Sequence, residues 1–152
     1  MSDTPEKFQR GEWSGKHLLI LKMGKRGGRM QNRRQLLGKT GEDIAVNYLL
    51  LQGYTIMERN YRTCFGEIDI IAKDGNSIAF IEVKSRTSKR FGDPKWAITP
   101  KKQRTISMVA LYYLKQTQHS QVKARFDVLT VNSADIDPRV QLIKNAFELA
   151  YT

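Results

Sequence analysis

The chain has 152 residues, 40% of them hydrophobic and 27% charged, with a formal net charge of +11. That length supports one domain with a proper core and excludes two. No apolar run approaches the roughly 20 residues of a membrane span, and one cysteine, Cys64, excludes an internal disulfide framework.

The charge is uneven. Residues 1–40 hold ten Lys or Arg against three Asp or Glu, and the other 112 hold sixteen against twelve. Such a basic excess draws polyanions, nucleic acid first, by releasing their condensed counterions. Anionic membrane surfaces compete for the same charge, but no basic amphipathic helix supports them, so no membrane partner is expected. A lone cysteine suits a reducing compartment. The early apolar run Leu18-Leu19-Ile20-Leu21 is too short for a secretory signal, so the expected location is the cytoplasm.

Residues 1–35 read as a basic, flexible extension, because Lys25-Arg26-Gly27-Gly28-Arg29 is glycine-rich and has no periodic apolar face. Residues 36–152 form the expected domain. From Gly41 to Gln52, Ile44, Ala45, Tyr48, Leu49 and Leu51 repeat with a helical period, and Gly53 supplies a stop. Tyr54 to Tyr61 reads as a strand, and a turn through Thr63-Cys64-Phe65-Gly66 follows. Strands over 67–73 and 78–84 then form a hairpin, and Ser85 to Trp96 reads as a polar, basic loop. Thr99 is a good N-cap with Pro100 at the first helical position. Its helix should run to about Gln116, burying Ile106, Val109, Ala110, Tyr113 and Leu114. Arg125 to Val131 and Val140 to Ile143 read as strands, with a last turn of helix at Ala146 to Ala150. The order α-β-β-β-α-β, with one further short strand, suits an α/β fold whose mixed sheet is flanked by helices.

The hairpin carries the chemistry. Asp74-Gly75-Asn76-Ser77 is a tight-turn signal, and Gly75-Asn76 as the loop pairs Asp74 with Ser77. Counting outward sets Asp69 opposite Glu82 and Glu67 opposite Lys84. Alternation then puts Glu67, Asp69, Glu82 and Lys84 on one face, with Ile68, Ile70, Ile81 and Val83 on the other. Hard oxygen ligands at this density suit Mg²⁺ or Mn²⁺, which commonly take one or two carboxylates plus phosphate oxygens. Asp69 and Glu82 could supply carboxylates, the backbone carbonyl of Val83 a third ligand, and Lys84 an ammonium that orients water. The matching reaction is phosphodiester hydrolysis. The competing description is an ordinary amphipathic hairpin with its polar face in water. Against it, Asp69 and Glu82 are like charges directly opposite, which destabilises a hairpin. Ile71 and Phe80 share their face, and desolvated carboxylates without a cation are costly.

The spacing of Asp69, Glu82 and Lys84 resembles the PD-(D/E)XK nuclease-like superfamily. More closely, the chain resembles the YraN-like bacterial proteins. The resemblance rests on Gly41-Glu42 with Ala45 and Tyr48-Leu49, on Asn60-Tyr61-Arg62, and on Gly66-Glu67-Ile68-Asp69. It continues through Ile81-Glu82-Val83-Lys84-Ser85-Arg86, Lys102-Gln103, Arg125-Phe126-Asp127-Val128 and Ile143-Lys144-Asn145-Ala146-Phe147. It implies a restriction-endonuclease-like core with the active site on the hairpin and a metal-dependent nuclease activity. Asp69 and Glu82 become metal ligands, Lys84 the catalytic lysine, Glu42 the acid from the first helix, and Gln103 a contributor from the second. One departure is Gly66-Glu67-Ile68, where the superfamily's name places a proline before Asp69. Resolvase-like relatives pair up, which adds a homodimer by analogy of fold alone.

Around this cluster Arg86, Lys89 and Arg90 form a basic loop, and Lys101, Lys102 and Arg104 crowd a helix start that favours phosphate. Asp127 should pair with a neighbouring Arg or Lys. His17 and His119 lack ligand spacing and read as surface residues, while Trp13 and Trp96 could stack on bases or serve packing. The alternative to a nuclease is a nucleic-acid-binding or scaffolding protein on the same fold with little catalysis.

Overall fold

The computed structural model describes residues 33–86, 98–133 and 138–150, with side chains from Thr40 onward. Its elements are α1 (Arg33–Leu51), β1 (Thr55–Thr63), β2 (Gly66–Asp74), β3 (Ser77–Arg86), α2 (Pro100–Gln116), β4 (Lys123–Asn132) and β5 (Arg139–Phe147). The strands form one sheet in the order β1-β2-β3-β4-β5, antiparallel except where β3 runs parallel to β4. A parallel neighbour requires a crossover, and α2 lies in that connection. The expected α/β arrangement, a mixed sheet flanked by helices, is the one adopted. Residues 1–32 of the basic extension, Lys89, Arg90, Trp13, Trp96 and His17 lie outside the described residues, while residues 33–35, expected to belong to the extension, open α1.

Each helix covers its own apolar cluster. Ile44, Ala45 and Leu49 of α1 meet Ile70, Ala72, Ala79, Ile81, Leu129 and Val131. Ile106, Val109, Ala110 and Tyr113 of α2 meet Ile71, Ile78, Phe80, Phe126 and Val128. Leu51, expected to face inward, is 62% exposed. At 100° per residue it sits about 200° round the helix from Leu49, on the opposite face. Gly41 lies where α1 comes down on the sheet, and a Cβ there would collide with the Ser85 side chain on β3. The start of α2 follows its sequence signals, since Thr99 Oγ1 accepts from the Lys102 N–H at 3.3 Å and Pro100 opens the helix.

The hairpin register is the one read from the turn, with Asp74 opposite Ser77 and Ile70 opposite Ile81. Of the two loop residues Gly75 alone takes a positive φ, +57°. At the other end of β2, Gly66 has φ +141° and packs its Cα against the Thr105 methyl of α2. Gly66→Ala therefore combines backbone strain with a side-chain collision. It is expected to destabilise the fold by about 1–3 kcal/mol, read as a lower midpoint in urea at unchanged slope.

The last turn of helix expected at 146–150 is not formed; β5 continues to Phe147 and residues 148–150 carry no regular structure. The Phe147 ring stacks on Phe126 with centroids 4.9 Å apart, and the Ala150 N–H donates to Ser107 Oγ at 3.0 Å. Burial of the aromatic ring outweighs a weak local preference for helix. Asp127 pairs as expected. Fully buried, it accepts from Arg125 Nε at 2.9 and 3.1 Å and from the Asn145 N–H at 3.0 Å. Arg125 also reaches Asp74 at 2.8 Å and the Tyr54 hydroxyl at 2.9 Å, and Lys144 reaches Asp74 at 2.9 Å. Asn145 sits at a β4–β5 register irregularity with φ +52°, so Asp127 satisfies an N–H that the ladder leaves over.

Candidate functional site

The β2–β3 ladder stops at Ile70 and Ile81. One residue further out, the strands fork. Asp69 and Glu82 do not continue the pairing; instead Asp69 Oδ2 accepts the Val83 N–H at 2.7 Å. The fork relieves the like-charge contact that a continued ladder would impose. The β1 side is irregular too: Arg59 pairs with Ile70 and Tyr61 with Ile68, while Asn60 between them has φ +50°. Alternation resets at this point. Ile68, expected beside Ile70, Ile81 and Val83, packs instead with Ile71 and Phe80 under α2. Ile70, Ile81 and Val83 keep the expected face under α1.

Glu67 leaves the cluster. Its carboxylate meets Arg62 of β1 at 3.1 Å, and not Lys84, because β2 has already turned away from β3. Both partners are exposed, so that pair contributes at most about 1 kcal/mol. What remains is tighter than the face read from alternation. Glu82 is 4% exposed and holds Lys84 Nζ at 2.8 Å on Oε1. Lys102 Nζ of α2 stands 3.1 Å from Oε2, an ion-pair contact not aligned as a hydrogen bond, so buried Oε2 has no hydrogen bond. The Lys84 and Lys102 side chains are partly exposed, at 32% and 28%, against 5% for that of Glu82.

Burial, and next the charge of Glu82, push the Asp69 carboxyl up from 3.8 to about 6. The Val83 N–H and Lys102 pull it down, and Glu42 adds to the rise. A raised carboxyl contributes stability below its ordinary value, and that contribution is lost as pH rises through the folded value. Asp69→Asn should therefore flatten the stability profile of the metal-free protein between pH 4 and 6.5, approximately the window bounded by 3.8 and 6. Paired thermal scans of wild type and variant across that window check it. An unchanged profile would mean that Asp69 is solvated.

The other expected site residues occupy varied places. Glu42 is half-buried on α1, accepts from Asn60 Nδ2 at 3.1 Å, and is close enough for its charge to act on Asp69. Gln103 is on α2, but its side-chain amide donates to the Ile98 carbonyl at 3.2 Å. Arg86 ends β3, and its carbonyl accepts from Ser133 N–H at 2.9 Å. Lys101 and Arg104 are exposed on the first turns of α2. Lys102 stands in the sequence as one of three cations at a helix start and beside Gln103 in the family resemblance, and neither reading gives it a contact with Glu82. A glycine at position 41 and an asparagine at position 60, both near Glu42, were weak signals that α1 comes close to the strands.

Among the described residues no three His, Cys, Asp or Glu side chains converge as a metal cluster. Asp69, Glu82 and the Val83 carbonyl nevertheless fit an ion content with two carboxylates and several waters. The buried Oε2 of Glu82 has no aligned hydrogen bond, only the ion-pair contact with Lys102. Among the described residues no helix is long and apolar enough to cross a membrane.

Comparison with known proteins gives close relatives. A UPF0102 protein of Syntrophus aciditrophicus is 52% identical over 114 residues, 75% of this chain and 90% of that protein. One of Geobacter metallireducens is 47% identical over 122 residues, 80% of this chain and all of the relative. Among solved structures, Pyrococcus furiosus SfsA in complex with Ca²⁺ aligns over 80% of this chain and 73% of its own, at 15% identity. The TM-score of that alignment is 0.34. The family described as "Uncharacterised protein family UPF0102" matches residues 41–131, from the glycine that lets α1 approach the sheet to Val131 in β4, and this chain belongs to it.

Proposed function

We propose that this protein is a metal-dependent nuclease that hydrolyses phosphodiester bonds in nucleic acid, with DNA as the substrate. One observation carries the reading. At the fork of two strands, Asp69 and Glu82 bring two carboxylates close enough for their charges to interact, while Glu82 carries Lys84 on Oε1 and Lys102 against an Oε2 with no aligned hydrogen bond. Two carboxylates held side by side repel each other, and a divalent cation between them would offset that repulsion beyond what the lysines on Glu82 supply. Asp69, Glu82 and the Val83 carbonyl would hold Mg²⁺ or Mn²⁺. When bound, such an ion lowers the pKa of a coordinated water and polarises the phosphoryl group.

The chain's own residues supply the rest. Lys84, held at Glu82, orients the attacking water and offsets charge gathering on the phosphate. Glu42 faces the same water from α1, and Gln103 borders the site from α2. Arg86, Lys89, Arg90, Lys101, Lys102 and Arg104 contact the phosphate backbone, and the net charge of +11 draws the polyanion to an acidic notch. The exposed thiol of Cys64 suits a reducing cytoplasm.

The test is incubation of linear, flapped and branched DNA with Mg²⁺ or Mn²⁺. Cleavage should stop with a chelator and fall by about 10²–10³-fold in Lys84→Ala. Full-rate cleavage by that variant would end the proposed mechanism. Salt-steep DNA binding without turnover would favour a binding or scaffolding role, which two lysines neutralising Glu82 would also serve.

A further inference from the structure

The outer face of α2 is built differently from an ordinary solvated helix side. Phe65, in the β1–β2 turn, is 45% exposed and meets Tyr112, itself 38% exposed, with ring centroids 6.0 Å apart. Met108 and Leu111 extend the exposed apolar surface along the helix. Lys101 and Arg104 stand before this patch and Lys115 after it, at helical spacings that put them on the same stripe. The 17 residues of α2 include four Lys or Arg and not one Asp or Glu. A helix face kept only for solubility would mix both signs. The position of Phe65 is itself determined, because the next residue, Gly66, packs against Thr105 with a backbone that other residues rarely adopt.

We infer that the Phe65–Tyr112 platform on α2 binds the unpaired strand of a DNA substrate, stacking its bases while Lys101, Arg104 and Lys115 hold its phosphates. This rests on the nuclease reading for its purpose, but not for its measurement. Aromatic faces flanked by cations are the recurring means of holding single strands, since every base has a π-face and every nucleotide a charge. The opposite end of the same helix carries Lys102 to Glu82. Ten residues separate Lys102 from Tyr112, about 15 Å along the axis, so a strand on the platform leads toward the carboxylates. A substrate with a free strand, such as a flap or a gap, is thereby favoured over an intact duplex.

The test is fluorescence anisotropy with a labelled oligothymidylate and a duplex of equal length, metal-free, at several salt concentrations. The wild-type protein should bind the single strand more tightly than the duplex. Phe65→Ala and Tyr112→Ala should each lose about tenfold for the single strand and much less for the duplex. Phe65→Trp should retain the affinity, and thermal melts would confirm that the variants remain folded. Equal binding of both DNAs, or alanine variants that bind like wild type, would overturn the proposal. So would a shift from dimer to monomer in sedimentation of Phe65→Ala, which would assign the patch to a second copy of the chain. Because no metal is present, an absence of cleavage in the earlier assay leaves this result readable on its own.

Discussion

Glu82→Gln is expected to lower metal-dependent cleavage by about 10³-fold while the protein stays folded. The amide has the volume of the carboxylate, so packing around the buried side chain is kept. What it lacks is the charge that Lys84 at 2.8 Å and Lys102 at 3.1 Å both address. The unbonded Oε2 position becomes a neutral oxygen or an N–H₂ group, and neither replaces a carboxylate toward a hard divalent ion. Calorimetric titration with Mn²⁺ should show specific binding to wild type and none to the variant. With the neighbouring charge gone, the Asp69 carboxyl should move down from about 6, which NMR titration of the metal-free protein can follow. Retained Mn²⁺ binding and cleavage would remove Glu82 from the site.

Arg125→Met should produce the largest loss of stability among single substitutions considered, about 3–5 kcal/mol. The methionine keeps most of the aliphatic stem. The guanidinium it removes is the charged partner of Asp127, which has no exposed surface and then keeps only the Asn145 N–H. Burial already pushes the Asp127 carboxyl up against the pull of that N–H and of Arg125. Loss of Arg125 removes a downward pull, so the variant should regain stability as pH falls and Asp127 takes a proton. Urea unfolding of the variant at neutral and mildly acid pH checks both parts. Arg125→Met combined with Asp127→Asn should recover much of the loss, since replacing both partners avoids a lone buried charge. A cost below about 1 kcal/mol would mean that the cluster is solvated rather than a brace. Activity of the folded fraction should survive, because Arg125 and Asp127 lie on the α1 side of the sheet with Tyr54 and Ile81, whereas Glu82 faces Lys102 of α2.

The elements were largely legible because local rules and tertiary packing agree. Thr99-Pro100 marks α2, Gly75 marks the hairpin turn, and the alternation of Ile and Ala in β2 and β3 reports two covered faces. The site was legible in composition but not in geometry. Asp69, Glu82 and Lys84 were found from register, which holds as far as Ile70 and Ile81. Beyond that pair, pure alternation fails, because a side chain replaces the backbone as partner of the Val83 N–H. That exchange moved Glu67 out of the cluster and Ile68 to the other core. Lys102 entered through tertiary placement of α2, which no local pattern encodes. The short C-terminal helix was misread for a related reason: Phe147 is decided by its contact with Phe126 across the sheet.

The parting of β2 and β3 at Asp69 has a consequence for selectivity. Its aperture lies within the sheet, bounded by backbone, where neighbouring chains otherwise run about 4.8 Å apart. Surface segments can lengthen or change charge without altering that width, so under the nuclease proposal they would be free to diversify which DNA is presented. Under the nuclease proposal, the size and hydration of the ion would be governed instead by the strands of the sheet itself.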